Sequence, residues 1–296
     1  MCDVNRREFV ASSLAALGTA AVCGMTAAAE PKQKLPAVRW GKHEISRLLV
    51  GHNPIKGQSY TSPALSQEMK DWYDPNKGHD VELLVRCQAA GINTCQLGAA
   101  PMEQLLRRFY AQGGRMQWIS TLYAKPGQGK DELKRILTKD PQPIGLQQWG
   151  NVTDDLLAAG KLDTVLENLK MLRQTGLLVG LGAHDPRVIE HAEEKGWDLD
   201  FYQCCFYLHR YPYAWDDGER RQMVRVIRAV SKPCIAFKVL AGNHRTKTPE
   251  QVYEALRFAF ANIKPSDLVL VGMWQRYKDQ VGENTRFVNT ILGHAT

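Results

Sequence analysis

The sequence predicts an α/β fold, a single closed (β/α)8 barrel of the TIM-barrel type. Three observations carry that reading. Short apolar runs recur eight times, at 46–51, 93–97, 116–122, 143–149, 177–183, 200–206, 233–240 and 267–273. Each run is followed by a segment with helical spacing, and strands alternating with helices imply βαβ units and a parallel sheet. Eight such repeats in roughly 250 residues is the arithmetic of a closed barrel. A barrel of this kind carries its chemistry on the loops after its strands, so position alone nominates site residues.

The remaining bounds are consistent with one globular enzyme. The chain has 296 residues, 44% of them hydrophobic and 23% charged, with a net charge of +7. The Lys and Arg residues are spread through helices and loops. No basic stretch is interleaved with exposed aromatics, which argues against nucleic-acid binding.

Residues 1–29 read as a twin-arginine signal peptide ahead of a barrel spanning 30–296. Asn5-Arg6-Arg7-Glu8-Phe9-Val10 is followed by an apolar stretch from Leu14 to Met25 and by Ala27-Ala28-Ala29, a small-residue cleavage site. The stretch is too short and alanine-rich for stable membrane insertion. Val22 before Cys23 fits a lipobox poorly. The expectation is export in the folded state by the twin-arginine translocase to a periplasmic or secreted location. Cleavage leaves Cys87, Cys95, Cys204, Cys205 and Cys234, an odd number with no C-x-x-C pair, which argues against a disulfide scaffold.

In chain order, 34–51 predicts a hairpin turning near Gly41-Lys42 and then the first barrel strand. Residues 52–80 exceed an ordinary βα loop and hold Tyr60, Trp72 and Tyr73, so they read either as a lid or substrate wall or as a surface excursion. Helices are expected at 80–90, 102–111, 130–137 and 162–174; in the last, Leu162, Val165, Leu166, Leu169 and Leu172 form one stripe before Gly176. Asp185-Pro186 opens the fifth helix. The sixth covers 220–230, the seventh 249–261 after a Thr248 cap, and the eighth 283–292.

Candidate site residues follow from strand ends. If Ala236 and Leu240 fill the lumen of the seventh strand, Lys238 points inward too. A desolvated lysine there is a base or Schiff-base nucleophile, or else a structural lysine paired with a carboxylate. His52 and His184 follow the first and fifth strands, with Asp185 as a helix cap. Gln96, Gln148 and Gln203 interrupt apolar strands; they either orient a hydroxyl-rich or carbonyl substrate or satisfy one another. Tyr123, Lys125, Trp149 and Asn151 are placed at the mouth. The ring-rich loop 207–216, including Tyr207 and His209, suits stacking on a sugar or nicotinamide, or packing beneath a lid. Asn243-His244-Arg245 and Trp274-Gln275-Arg276 occupy the usual phosphate corner. His52, His184, His209 and His244 lack a fixed ligand spacing, so no metal is expected.

Several of these segments resemble the aldo/keto reductase superfamily. Leu48-Leu49-Val50-Gly51 is similar to its first strand, Ala90-Gly91-Ile92-Asn93 to the approach to its second, and Gly180-Leu181-Gly182 to its fifth. Asp200 and Gln203 match its sixth-strand pattern, and Ala236-Phe237 with Leu240-Ala241-Gly242 its seventh strand and turn. Gly272-Met273 with Glu283-Asn284 resembles its eighth strand and the helix after it. The resemblance implies a barrel closed below by an N-terminal hairpin. It also implies an NADP cofactor held by Gln203, Phe237, Leu240, Gly242, Arg276, Glu283 and Asn284.

The family's Asp, Tyr, Lys and His are replaced here by Gln96, roughly Pro101, Leu122 and Trp149, and its Ser-Asn pair by Ala183-His184. With those departures, the resemblance implies a divergent, exported oxidoreductase on a small carbonyl or sugar-like substrate. Gln96, Tyr123, Gln148, Trp149, Tyr207 and His209 would surround that substrate. Two alternatives stand beside it. One is a non-redox lyase, isomerase or hydrolase using Lys238 with His52 or His184. The other is a ligand-binding barrel without catalysis.

Overall fold

A computed structural model describes residues 35–98, 100–207 and 217–293. The expected signal peptide and His209 lie outside the described residues. The chain opens with a hairpin, β1 (Ala37–Trp40) and β2 (His43–Ser46), whose turn places Gly41 at φ 56°, a left-handed conformation open to glycine without penalty. Eight strands follow: β3 (Leu48–Gly51), β4 (Thr94–Gly98), β5 (Gln117–Leu122), β6 (Gly145–Gln148), β7 (Leu178–Ala183), β8 (Phe201–Cys205), β9 (Cys234–Phe237) and β10 (Leu268–Gly272). They pair in parallel in chain order, and β10 returns to β3 to close the barrel.

The helices between them are α1 (Pro63–Trp72), α2 (His79–Ala89), α3 (Ala100–Ala111), α4 (Lys130–Leu137), α5 (Gly150–Ala158), α6 (Leu166–Arg173), α7 (Pro186–Glu194), α8 (Asp217–Ala229), α9 (Pro249–Asn262) and α10 (Gln280–Ile291). Proline in the first turn with a side-chain cap starts three of them: Ser62 caps α1, Asp185 caps α7 and Thr248 caps α9. None of the described helices is long and apolar enough to cross a membrane.

Strand alternation sorts the core into two layers. Val50, Cys95, Trp118, Val179 and Ala236 face the helices. Leu49, Ile119, Phe201, Ile235 and Leu268 fill the lower lumen, and Trp40 and Ile45 of the hairpin join them as a plug. The Trp40 ring lies 5.4 Å from Phe201, and its indole N–H donates to the Ser266 carbonyl at 2.9 Å. Gly180 makes room for that floor, since a Cβ there would stand 2.3 Å from the Phe201 ring.

Four expectations are corrected. Ala236 belongs to the outer layer, so the lumen phase of β9 falls on Ile235 and Phe237. The same strand stops at Phe237, because Lys238 takes a left-handed φ of 55° and breaks the extended run. The segment 52–80 is not one loop: it contains α1 and the start of α2, and Tyr73 from it donates to the Met273 carbonyl at 2.9 Å. The helix expected at 162–174 is a short 3-10 turn (Leu162–Val165) leading into α6, and α5 precedes it. The five described cysteines are buried free thiols.

Candidate functional site

The C-terminal ends of the strands open into a cavity of about 920 Å³, the position at which barrels of this type carry their chemistry. On one side β7 ends at Ala183, and His184 follows with its ring against Phe237 at 5.3 Å. The His184 Nδ1–H donates to an Asp154 carboxylate oxygen at 2.7 Å. The same carboxylate accepts the backbone N–H groups of His184 and Asp185, each at 3.1 Å. A carboxylate accepts only, so this contact puts the ring proton on Nδ1 and leaves Nε2 as the basic nitrogen. Burial pulls the His184 pKa below its ordinary value, and the nearby Lys238 ammonium pulls the same way, while Asp154 partly opposes both.

His52 stands at the end of β3 in a matching state. Its Nδ1–H donates to the Gln96 carbonyl at 3.1 Å, which again leaves Nε2 unprotonated. Burial depresses its pKa to about 4, with the Gln96 carbonyl opposing and Lys56 adding to the shift. Both histidines are therefore uncharged bases at neutral pH.

Lys238 follows β9 and lines the cavity through its backbone break rather than through strand alternation. Its ammonium sits 4.6 Å above the Tyr60 ring. Burial lowers its pKa, the condition under which a lysine amine is nucleophilic near neutral pH. Cys205 lies close enough to feel that ammonium, but its thiol donates to the Tyr207 carbonyl at 2.7 Å and burial holds its pKa up at about 12. It is a poor nucleophile.

The cavity floor is a patch of side-chain amides. Gln96 donates to the Thr121 hydroxyl at 2.7 Å, and Gln147 donates to the same oxygen at 3.4 Å. The carboxamide oxygens of Gln147 and Gln203 are buried with no hydrogen-bond partner among the described residues. Above them, Tyr123 packs its ring edge 5.0 Å from Trp149, and the Lys56 ammonium lies 5.5 Å over the Tyr123 face. Burial and Glu132 push the Tyr123 phenol up to about 12.

Most residues nominated from sequence converge here. His52, His184, Lys238, Gln96, Tyr123 and Trp149 line the cavity, as do Gln203, Phe237, Leu240, Gly242, Glu283 and Asn284. Three do not. Gln148 points outward, donating to the Leu122 and Ala124 carbonyls at 3.3 and 3.2 Å and accepting from Asn168 at 2.8 Å. In β6 the lumen phase falls on Gln147, which sits opposite Thr121. Tyr207 is fully buried off the cavity and accepts from the Arg245 guanidinium at 2.9 Å. Arg276 turns away to pair with Glu68 at 2.9 Å.

Tyr60, from the aromatic stretch read as a lid or substrate wall, lines the cavity, while sequence reasoning missed Asp154, Lys56, Thr121 and Gln147. Only Gln147 had a usable signal, the one-residue phase of its strand. Asp154 lies inside α5, thirty residues from the histidine it serves. No group of three or more metal-ligating side chains converges among the described residues.

No protein-family model matches the sequence, and no curated protein matches it. Solved structures do. A thermostable aldo-keto reductase aligns with a TM-score of 0.56 at 15% identity, over 86% of this chain and 94% of its own. A Schiff-base-forming fructose-1,6-bisphosphate aldolase aligns at 0.50 and 14% identity, over 84% and 93%. The phospho-2-dehydro-3-deoxyheptonate aldolase of Thermotoga maritima aligns at 0.50 and 11%, over 88% and 73%. The likeness is one of fold. Reductases and aldolases share it, so the reaction has to be argued from the site itself.

Proposed function

We propose that this protein is a lyase or isomerase acting on a small hydroxylated carbonyl compound, with Lys238 as the imine-forming amine and His184 as the proton carrier. The observation that supports it most is the set Asp154, His184 and Lys238: a carboxylate-oriented imidazole beside a buried lysine at the strand ends of a barrel. The Lys238 amine adds to the carbonyl carbon. The resulting hydroxyl leaves as water, and the protonated imine draws electrons from an adjacent bond. His184 Nε2 takes the proton released, either from the carbon next to the imine or from a hydroxyl one carbon further on when a C–C bond breaks. Return of a proton to the enamine carbon and hydrolysis of the imine regenerate the amine. His52 Nε2 supplies a second neutral base on the opposite wall.

The oxidoreductase reading keeps one supporting observation: Leu240, Gly242, Glu283 and Asn284 line one side of the same cavity, where NADP would lie and would supply hydride. Two observations weigh against it. Arg276 is engaged by Glu68. Carbonyl reduction also needs a tyrosine hydroxyl tuned toward release of its proton, and the Tyr123 phenol is shifted the other way.

The deciding experiment is borohydride reduction of the protein with dihydroxyacetone or D-fructose, followed by peptide mass mapping. An adduct on Lys238, absent from K238R, is the expected result, and no adduct on Lys238 overturns the reading. NADPH titration in parallel tests the second reading, for which micromolar binding with hydride transfer is required. Twin-arginine export belongs to the proposal too; accumulation of an R6K/R7K variant inside the cell is the outcome that supports it.

A further inference from the structure

The charge and hydrogen-bonding inventory of the cavity is lopsided in a way that restricts what it holds. Its described lining includes four lysines, Lys56, Lys70, Lys238 and Lys278, against one carboxylate, Glu283. That glutamate is already paired with Lys278 at 2.5 Å. Lys56 has no ion-pair or hydrogen-bond partner for its ammonium among the described residues, and its one ring contact is Tyr123. Its place is fixed, since its backbone N–H donates to the His52 carbonyl at 3.0 Å. Burial lowers its pKa, and an anion beside it would reverse that shift.

The floor adds a second requirement. Gln147 and Gln203 are 2% and 6% exposed, both line the cavity, and each keeps a buried carboxamide oxygen with no hydrogen-bond partner among the described residues. A carbonyl oxygen only accepts, so a ligand that satisfies both must donate twice, as hydroxyl groups do. An apolar ligand would leave both acceptors buried and unmet.

The geometry points to a polyhydroxylated anion as the ligand of this cavity, a sugar acid or a sugar phosphate whose charge meets Lys56 and whose hydroxyls meet Gln147 and Gln203. This rests on the reading of the cavity as a site for carbonyl sugars, and it narrows that class to charged members. A charged hydrogen bond on a half-buried ammonium is of the strength that changes affinity about tenfold or more.

The test is calorimetric titration of D-glucose, D-glucuronate and D-glucose 6-phosphate into the full-length protein at low ionic strength. At least one anion is expected to bind about tenfold tighter than glucose, with the advantage shrinking as salt is raised. Whether glucuronate or the phosphate is favoured identifies carboxylate or phosphate as the anion. K56M is expected to bring all three sugars to similar affinity, and Q147L to weaken all three together, with both variants checked for unchanged thermal unfolding. Equal affinity of the three sugars, or an anion preference that survives K56M, overturns the inference. The titration does not depend on imine formation. An anion preference retained in K238R without any borohydride adduct in the parent would uphold this inference and remove the lyase reading; an adduct without an anion preference would do the reverse.

Discussion

Asp154 holds His184 twice, by the ring Nδ1–H at 2.7 Å and by the backbone N–H at 3.1 Å. The carboxylate comes from the helix after β6 and the histidine from the end of β7, so one side chain both sets a tautomer and pins a strand end. Asp154→Asn separates the two effects. An amide still accepts the backbone N–H groups but presents N–H to the ring, and the His184 proton is expected to move to Nε2. Long-range proton–nitrogen correlation spectra of the histidines read that switch directly, and an unchanged Nδ1–H form would contradict the assignment. Asp154→Ala removes the backbone acceptor as well and is expected to cost about 2 kcal/mol in urea unfolding.

His52 makes stability fall with acid. Its folded pKa of about 4 lies below the value near 6.5 of an unfolded chain. Between those values the unfolded state binds a proton that the folded state refuses, so stability declines as pH drops from about 6.5 to about 4 and is flat for this group below that. The decline amounts to about 3 kcal/mol for the full shift. Comparing denaturant unfolding of the parent and His52→Gln across this window isolates it, and parallel curves would show that His52 is not the group responsible.

Lys238 is held at φ 55°, a conformation that penalises any side chain with a Cβ by about 1 kcal/mol. Lys238→Gly removes that strain and a buried ammonium together. The expected outcome is a protein more stable by about 1 kcal/mol that gives no borohydride adduct. A loss of stability would mean that contacts such as the one over Tyr60 outweigh the strain.

Gly180→Ala tests the barrel floor. A Cβ at that position meets the Phe201 ring at 2.3 Å, and Phe201 is wedged against Trp40 and the lumen residues below the cavity. The substitution is expected to cost roughly 2–3 kcal/mol in chemical unfolding, and Phe201→Leu in the same chain to recover part of it.

The barrel was legible because strand and helix periods are local properties. The eight apolar runs map onto β3 to β10, and caps such as Asp185-Pro186 and Thr248 start helices where the residues say they should. Where the reading slipped, a local rule was broken by a local event. The left-handed backbone at Lys238 ended β9 early, and the lumen phase assigned to Ala236 was off by one residue. The same one-residue phase separates Gln147, in the cavity, from Gln148, which faces α6.

The sequence by itself determined the alternation of elements and the strand ends on which His52, His184 and Lys238 sit, since these depend on neighbours a few residues away. Only the tertiary structure decided that Asp154 meets His184, that Lys56 and Tyr60 of the first long connection lean over the strand ends, and that Arg276 turns to Glu68 instead of the cavity. Those pairings join residues far apart in the chain. Closure of the sheet brings them together, and burial then sets which of their protons are held.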